Sequence, residues 1–233
     1  MRLDKAIASQ GKFSRSEIKK KIRRQEITVN GTPVKDPGVQ VEPGRDDIRV
    51  DGEPLTYKAH LYLMLNKPQG VVSATEDRSQ PTVLDLVPDE LYRDGLFPAG
   101  RLDADTTGFI LLTDDGDFAH RILSPKNHIR KTYVAELAQA PTEAELQPLL
   151  DGIALRDGTR CLPAQVRILG ETTVEIRIVE GKYHQIKRTF AAAGNRVVSL
   201  TRTAMGDLPL DPVLAPGQCR EITPDELKKI YGN

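Results

Sequence analysis

Five aspartates lie in the segment G-R-L-D-A-D-T-T-G-F-I-L-L-T-D-D-G-D, which spans residues 100 to 117. Side-chain oxygens at alternate positions, with Gly108 at the sixth position counted from Asp103, are typical of an EF-hand calcium loop. Such a loop needs a helix on its amino-terminal side, where this chain has Pro98 and Gly100. Its twelfth position holds an aspartate rather than the longer glutamate that binds calcium with both oxygens. The sequence therefore argues against a calcium site.

Two other chemistries are open to these aspartates. D-A-D-T-T is similar to the D-x-D-x-T phosphotransferase nucleophile, but that motif follows a buried strand and this one follows a turn that carries a cation. The remaining option is a carboxylate that acts directly on an RNA nucleotide, as an ionised aspartate can attack a sugar or an electrophilic base. If the segment is extended, Arg101 and Asp103 point to the same side, and the guanidinium would keep the carboxylate ionised and oriented. Asp105 would share that side and could pair with Arg101 instead.

Positive charge is concentrated at the amino terminus of a chain whose formal net charge is zero. The first 35 residues hold ten Lys and Arg against three Asp and Glu, whereas the remaining 198 hold 23 against 30. Ser14 and Glu17 form a capping box, and Ile18 and Ile22 provide the apolar stripe of a helix whose other faces are basic. A compact basic segment of this kind indicates a polyanionic partner.

Four pieces of this region follow one another in order: R-L-D-K-A-I-A, S-R-S-E-I-K-K-K-I-R, I-T-V-N-G and the pattern V-x-x-G-x-D-x-I-R-V that ends at Val50. Together they resemble the S4 domain, an RNA-binding module. The resemblance implies that basic side chains of the second helix contact RNA phosphates, and the candidates are Lys19, Lys20, Arg23 and Arg24. We expect this domain to span residues 1–58, with a linker at about 51–60.

The rest of the chain, residues 61–233, predicts a second and larger domain. Apolar and β-branched runs predict strands at 61–68, 109–113, 131–138, 164–169 and 172–179. Helices are predicted near 114–123, 142–151, 183–193 and 224–230. Few regular β-α-β alternations occur. The sequence therefore predicts an α+β fold, in which the small domain of helices and short strands precedes a mixed, mainly antiparallel sheet flanked by helices.

Four motifs follow one another across the larger domain: N-K-P-Q-G at 66–70, G-R-L-D-A-D-T-T-G at 100–108, R-K-T-Y at 130–133 and E-G-K-Y-H-Q-I-K-R at 180–188. In this order they resemble the motifs of pseudouridine synthases. With the S4-like region and S-P-K-N-H-I-R-K-T-Y, the chain resembles the type that acts on small-subunit rRNA (RsuA type). The resemblance implies isomerisation of uridine to pseudouridine without a cofactor or a metal. A sequence without a Rossmann fingerprint, Walker motif or zinc-ligand spacing agrees with this.

The resemblance also implies the residues of a catalytic site. Asp103 matches the catalytic aspartate, and Tyr133 matches an aromatic residue that stacks on the target base and assists proton removal. Lys187 falls where the family has a basic partner for the aspartate, on a helix predicted to begin near Tyr183. We expect His184 to be a hydrogen-bonding core residue rather than a catalytic one.

Three further cations are expected to bind RNA. Arg101 should hold the flipped target position or a neighbouring phosphate, and Arg188 should lie nearer to RNA phosphate than Lys187, although these two could exchange roles. Lys67 is a candidate RNA contact in a motif whose Pro68 and Gly70 shape a turn. Asp114, Asp115 and Asp117 are assigned to helix capping and solubility, because acidic residues favour the start of a helix.

The implied substrate is a uridine of small-subunit rRNA, position 516 of 16S rRNA in enzymes of this type, either free or in a partly assembled ribosomal particle. The alternatives are a large-subunit (23S) rRNA target, a non-catalytic S4-type RNA-binding protein of ribosome assembly, and a metal-dependent phosphohydrolase. The chain has neither an apolar run of about 20 residues that would span a bilayer nor the apolar core of a signal peptide. Its two cysteines, Cys161 and Cys219, are far apart. We expect a cytoplasmic protein with reduced thiols, and a monomer.

Overall fold

A computed structural model of the chain, which describes residues 1–231, contains two compact units. The first consists of Met1–Leu61 together with Pro88–Leu96, and the second consists of Tyr62–Val87 and the chain from Phe97 onward. The short return of residues 88–96 to the first unit was not evident from the sequence. No helix in the described part of the chain is both long and apolar enough to span a membrane.

The first unit packs two helices against a four-stranded antiparallel sheet. The helices are α1 (Leu3–Ala8) and α2 (Arg15–Arg23). The strands are β1 (Ile27–Val29), β2 (Thr32–Pro33), β3 (Ile48–Val50) and β4 (Glu53–Pro54), in the spatial order β2-β1-β3-β4. Because β4 falls inside the segment predicted to be a linker, residues 51–60 begin within the folded unit.

Helix α2 begins where the sequence predicts. The Ser14 hydroxyl accepts from the Glu17 amide at 3.3 Å, and the Glu17 carboxylate accepts from the Ser14 amide at 2.8 Å. Two of the amide groups left unpaired at a helix start are thereby satisfied. Ile18 and Ile22 are buried in the core of the unit, which leaves the basic faces of the helix at the surface.

The second unit is built on a nine-stranded sheet. Its strands are β5 (Tyr62–Lys67), β6 (Phe97–Pro98), β7 (Thr106–Thr113), β8 (Lys131–Leu137), β9 (Gln165–Ile168), β10 (Thr173–Ile178), β11 (Val197–Met205), β12 (Leu208–Pro209) and β13 (Cys219–Glu221). The main spatial order is β13-β5-β7-β11-β8-β10-β9, with β12 beside β11 and β6 beside β7. Of the pairs formed by these strands, β7 with β11 is parallel and the others are antiparallel. The predicted α+β class with a mixed, mainly antiparallel sheet is confirmed.

Four α-helices flank this sheet: α3 (Gly116–Leu123), α4 (Glu143–Asp151), α5 (Gln185–Ala193) and α6 (Pro224–Ile230). Helices α3 and α6 share one apolar cluster with residues of β5 and β7. Asp115 has the predicted capping role, because it is the N-cap of α3 and its carboxylate accepts from the Phe118 amide at 2.9 Å. The aspartates of this segment therefore lie just before a buried strand and at the start of a helix. An EF-hand loop would instead place them in one loop between two helices.

Strand β11 was not predicted, although it lies at the centre of the sheet between β7 and β8. Its sequence, V-V-S-L-T-R-T-A-M, places a charged residue, Arg202, at a buried position. Gly108 of β7 lies opposite Arg202, and a Cβ at this glycine would lie 2.3 Å from the Arg202 carbonyl oxygen. Its φ of +95° is also one that other residues rarely adopt. The last glycine of the G-R-L-D-A-D-T-T-G motif therefore allows the two central strands to approach each other.

Candidate active site

The loop that carries Asp103 lies between β6 and β7 and is fixed from both sides. The Leu102 amide donates to the Ser73 hydroxyl at 3.0 Å, and that hydroxyl donates to the Leu102 carbonyl at 2.9 Å. On the other side, the Thr106 amide donates to the Asp103 carbonyl at 3.0 Å. The backbone of Asp103 is therefore held in place while its carboxylate remains partly exposed.

Lys67 holds the same loop in place from the interior of the unit. Its side chain is fully buried, and its ammonium donates to the carbonyls of Pro68, Ala104 and Thr106 at 3.0, 3.2 and 2.8 Å. Burial lowers the pKa of Lys67 to about 8, against the opposing effect of nearby Asp105 and Asp103. The prediction that Lys67 contacts RNA is therefore wrong, because its three donors are used by the backbone and none of its surface meets solvent.

Lys187 joins the two aspartates of the loop. Its Nζ donates to Oδ2 of Asp103 at 3.0 Å and to Oδ1 of Asp105 at 2.6 Å. Partial burial opposes the charge of Lys187, but hydrogen bonds to Asp105 and Asp103 outweigh it and raise the lysine pKa. The hydrogen bond from Lys187 lowers the pKa of Asp105. The arrangement keeps an ionised lysine against the Asp103 carboxylate, in a site only partly open to water.

Arg101 does not pair with the aspartates, contrary to one of our expectations. Within the described chain it forms no ion pair with Asp103 or Asp105, and its side chain is exposed. Residues 101–103 adopt no regular strand, so alternation does not bring Arg101 to the Asp103 carboxylate. The exposed guanidinium lies at the edge of the site, where it is open to a phosphate.

His184 is a residue of the site and not of the core, which corrects our expectation. Its side chain is 37% exposed, and its Nε2 lies 3.4 Å from Oδ1 of Asp103. His184 is the N-cap residue of α5 and has a left-handed backbone, with φ of 46°. Gln185 fixes this turn, because its side chain accepts from the Lys182 amide at 3.0 Å and donates to Glu180 at 2.6 Å.

Arg188, one position beyond Lys187, points to a different partner. Its guanidinium donates to the Asp157 carboxylate at 2.5 Å and to the Tyr183 carbonyl at 3.3 Å. Lys187, not Arg188, is thus the partner of Asp103 in this geometry. A contact between Arg188 and RNA stays a prediction, and it requires the guanidinium to share or leave Asp157.

Tyr133 lies on β8 and is 8% exposed. It lines the same cavity as Asp103 and Lys187, which has a volume of about 80 Å³ and apolar walls at Ile178 and Leu200. The Tyr133 hydroxyl forms no hydrogen bond with another described residue. An aromatic ring, two aliphatic side chains and a carboxylate group together line a cavity suited to a flat, polar ring.

Two buried cations beside Tyr133 were missed by the sequence analysis. The Arg202 guanidinium carbon lies 6.0 Å from the Tyr133 ring centroid, its Nε donates to the Phe109 carbonyl at 2.6 Å, and its Nη2 has no partner in the described chain. Lys131 is also buried, and burial, helped by the charge of Arg202 and opposed by Glu180, lowers its pKa to about 8. The site therefore has a positive interior behind the ring.

The candidate RNA contacts of the first unit lie where a phosphate could reach them. Lys19, Lys20 and Arg23 are exposed on α2, and Arg24 is exposed at the C-cap position that follows it. In contrast, Lys21 on the same helix donates to Asp51 at 2.6 Å. In the described part of the chain, no three His, Cys, Asp or Glu side chains are grouped as the ligands of a metal would be.

Comparisons with known proteins agree with these motifs. Residues 61–192 match the RNA pseudouridylate synthase family, and residues 1–47 match the S4 domain. The Bacillus subtilis (strain 168) protein named Uncharacterized RNA pseudouridine synthase YtzG is 47% identical over 97% of both chains. Proteins named Ribosomal small subunit pseudouridine synthase A from Haemophilus influenzae and Escherichia coli K12 are 44% and 42% identical, each over 99% of this chain and 99% and 100% of their own. A crystal structure of a pseudouridylate synthase, 43% identical, has a TM-score of 0.70 and covers 99% of each chain.

Proposed function

The chain belongs to the RNA pseudouridylate synthase family and is an isomerase, and from that premise we propose that it converts a uridine of small-subunit rRNA to pseudouridine. The observation that carries the proposal is the Asp103–Lys187 ion pair in a cavity that Tyr133 also lines. Similarity over the full length to proteins named for the small ribosomal subunit favours rRNA as the substrate. Position 516 of 16S rRNA is the target we propose.

The isomerisation breaks the N1–C1′ bond and forms a C5–C1′ bond, so the proton on C5 is released and N1 gains a proton. Asp103 is the carboxylate we assign to this step. Whether it attacks C6, attacks C1′ or removes a sugar proton, it acts as a carboxylate, and the Lys187 ammonium orients it through a hydrogen bond of 3.0 Å. No external donor, electron or metal is required by this balance.

Tyr133 is assigned to the target base. A uridine removed from its stack loses contact with its neighbours, and an aromatic ring can replace part of that contact. We assign to the Tyr133 hydroxyl, which forms no hydrogen bond with another described residue, a role in proton transfer. Ile178 and Leu200 line the same cavity and offer apolar surface to the bound base.

The first unit is assigned to RNA binding. The exposed cations of α2 and its C-cap contribute affinity without reading sequence, and they are Lys19, Lys20, Arg23 and Arg24. The choice of which uridine is modified then depends on the shape of the RNA as well as on the residues of the candidate active site. We further propose that the protein acts in the cytoplasm and as a monomer, on rRNA that is free or partly assembled.

Pseudouridine mapping tests the proposal. Purified protein is incubated with 16S transcript, 23S transcript and a partly assembled small subunit, with EDTA present in one parallel series after the RNA has folded. We expect pseudouridine at one site of small-subunit rRNA with wild-type protein and none with Asp103→Asn. Modification of 23S rRNA alone would support the large-subunit alternative, and binding without any pseudouridine would support the non-catalytic one.

A further inference from the structure

Tyr183 is an aromatic residue exposed beside the candidate active site. Its side chain is 74% exposed, and its ring stacks on that of His184 with centroids 3.8 Å apart and planes inclined by 19°. His184 covers one face of the tyrosine ring, so the high exposure belongs to the other face and the edges. A stacked pair with one open face is a suitable surface for a third flat ring.

This pair borders a second cavity next to the first. The second cavity has a volume of about 490 Å³ and is lined by Tyr183, His184 and Ser73, among others. Arg101, Asp103 and His184 border both cavities. A strand of RNA whose target base enters the first cavity would therefore place an adjacent nucleotide in the second.

The backbone holds the pair in position before any ligand arrives. His184 has a φ of 46°, which is uncommon for a residue other than glycine and must be stabilised by its surroundings. Gln185 supplies that stabilisation through the Lys182 amide and Glu180, and Glu180 is held in turn by the Leu162 amide at 2.8 Å. The Tyr183–His184 pair, which we call the stacking platform, is thus held in place before RNA binds.

We propose that the Tyr183–His184 pair binds the base of the nucleotide adjacent to the target, by stacking, while Arg101 holds the phosphate between the two nucleotides. The inference rests on the proposed function, because it assumes that the first cavity receives the target uridine. Stacking accepts any base, so the platform contributes affinity and orientation rather than sequence choice. Arg101, which pairs with neither aspartate, has its donors available for a phosphate.

The test combines variants of the protein with variants of the RNA. Tyr183→Ala, Tyr183→Phe and Val213→Ala are compared, the last as a control because Val213 is 79% exposed and outside both cavities. RNA hairpins carry the target uridine with a normal or an abasic nucleotide on its 5′ or 3′ side. We expect Tyr183→Ala to weaken binding about tenfold on the normal hairpin, with Tyr183→Phe and Val213→Ala within about twofold of wild type.

The abasic hairpin is the decisive arm. When the abasic nucleotide is on the side of the target that stacks on Tyr183, wild-type protein should bind this hairpin about tenfold more weakly than the normal hairpin. The Tyr183→Ala variant should bind both hairpins about equally, because it has no aromatic ring on which the adjacent base could stack. Equal losses for both proteins, or no loss for Tyr183→Ala on the normal hairpin, would overturn the proposal. Fluorescence of 2-aminopurine at the adjacent position reports stacking of that base directly. It is compared between Asp103→Asn and the double variant that also carries Tyr183→Ala, so that the RNA is not modified during the measurement. If the proposed function itself is wrong, wild-type protein will form no pseudouridine in the mapping experiment, whatever the result with the Tyr183 variants.

Discussion

Lys187 donates a hydrogen bond from its Nζ to Oδ2 of Asp103 across 3.0 Å, which joins helix α5 to a loop 84 positions earlier in the chain. The same Nζ contacts Asp105, so one ammonium lies between two carboxylates. Asp105 is the more exposed of the two, at 62% against 29% for Asp103. Asp103 is therefore the carboxylate that faces the cavity, and Asp105 adds to the charge that keeps Lys187 protonated.

Replacement of Lys187 by Met should lower kcat on the order of 100-fold, because the charged hydrogen bond that orients the Asp103 carboxylate is lost. Lys187→Arg should retain much more activity, since it keeps the charge with an altered geometry. Single-turnover rates with saturating protein measure the effect apart from binding. Activity of Lys187→Met within about threefold of wild type would contradict this role.

Replacement of Tyr133 by Phe separates the ring from its hydroxyl. We expect Tyr133→Phe to bind RNA nearly as wild type does but to react on the order of 100-fold more slowly, as loss of a proton-transfer group predicts. Tyr133→Leu should weaken binding as well, because the stacking surface is gone. Titration of RNA binding and measurement of kcat on the same preparations distinguish the two effects. A fully active Tyr133→Phe would limit the residue to stacking.

The buried Lys67 predicts a pH dependence of stability. Its folded pKa is about 8, below the 10.5 of an exposed lysine, so between these values the unfolded chain holds a proton that the folded chain has released. The free energy of unfolding should therefore rise with pH from about 8 to 10.5, by at most about 1.4 kcal/mol per pH unit for one group.

Lys131 has a similarly lowered pKa and contributes in the same direction. Lys67→Met should accordingly lose about half of the rise and should be less stable at pH 7, because three carbonyls lose their donor. Urea unfolding at several pH values measures both effects. An unchanged pH dependence in Lys67→Met would show that Lys67 does not titrate as its burial requires.

The basic helix predicts a salt dependence of RNA binding. Substitution of Lys19, Lys20, Arg23 and Arg24 by Gln should reduce the slope of log K against log salt by about 0.9 for each cation that contacts a phosphate of double-stranded RNA. Lys21→Gln is the matched control, since Lys21 is paired with Asp51 and should change the slope little. A fourfold variant that keeps the wild-type slope would place the RNA on another surface.

The sequence predicted the chemistry of the site better than its geometry. The G-R-L-D motif and the helix beginning near Tyr183 identified Asp103 and Lys187, which the structure brings together across 84 positions. The burial of Lys67 was accessible in principle, because it lies two and four residues after the buried Leu65 and Leu63 of the same strand. Its charge suggested a surface position instead.

Other features required the fold itself. The strand β11 has β-branched residues, but its buried Arg202 obscured the apolar alternation that marks a half-buried strand. The contact between Arg202 and the Tyr133 ring depends on the pairing of β11 with β8, which no local pattern specifies. The left-handed backbone of His184 likewise depends on Gln185, Glu180 and the turn between them.

Release of tritium from RNA labelled at C5 of uridine measures the proposed role of Asp103, because C5 gives up its hydrogen after it bonds to C1′. Asp103→Asn is compared with Asp105→Asn, which also removes a carboxylate from Lys187 but not the one that faces the cavity. We expect no tritium release above background from Asp103→Asn and release within about tenfold of wild type from Asp105→Asn. Release by Asp103→Asn at the wild-type rate would contradict the proposed role of Asp103.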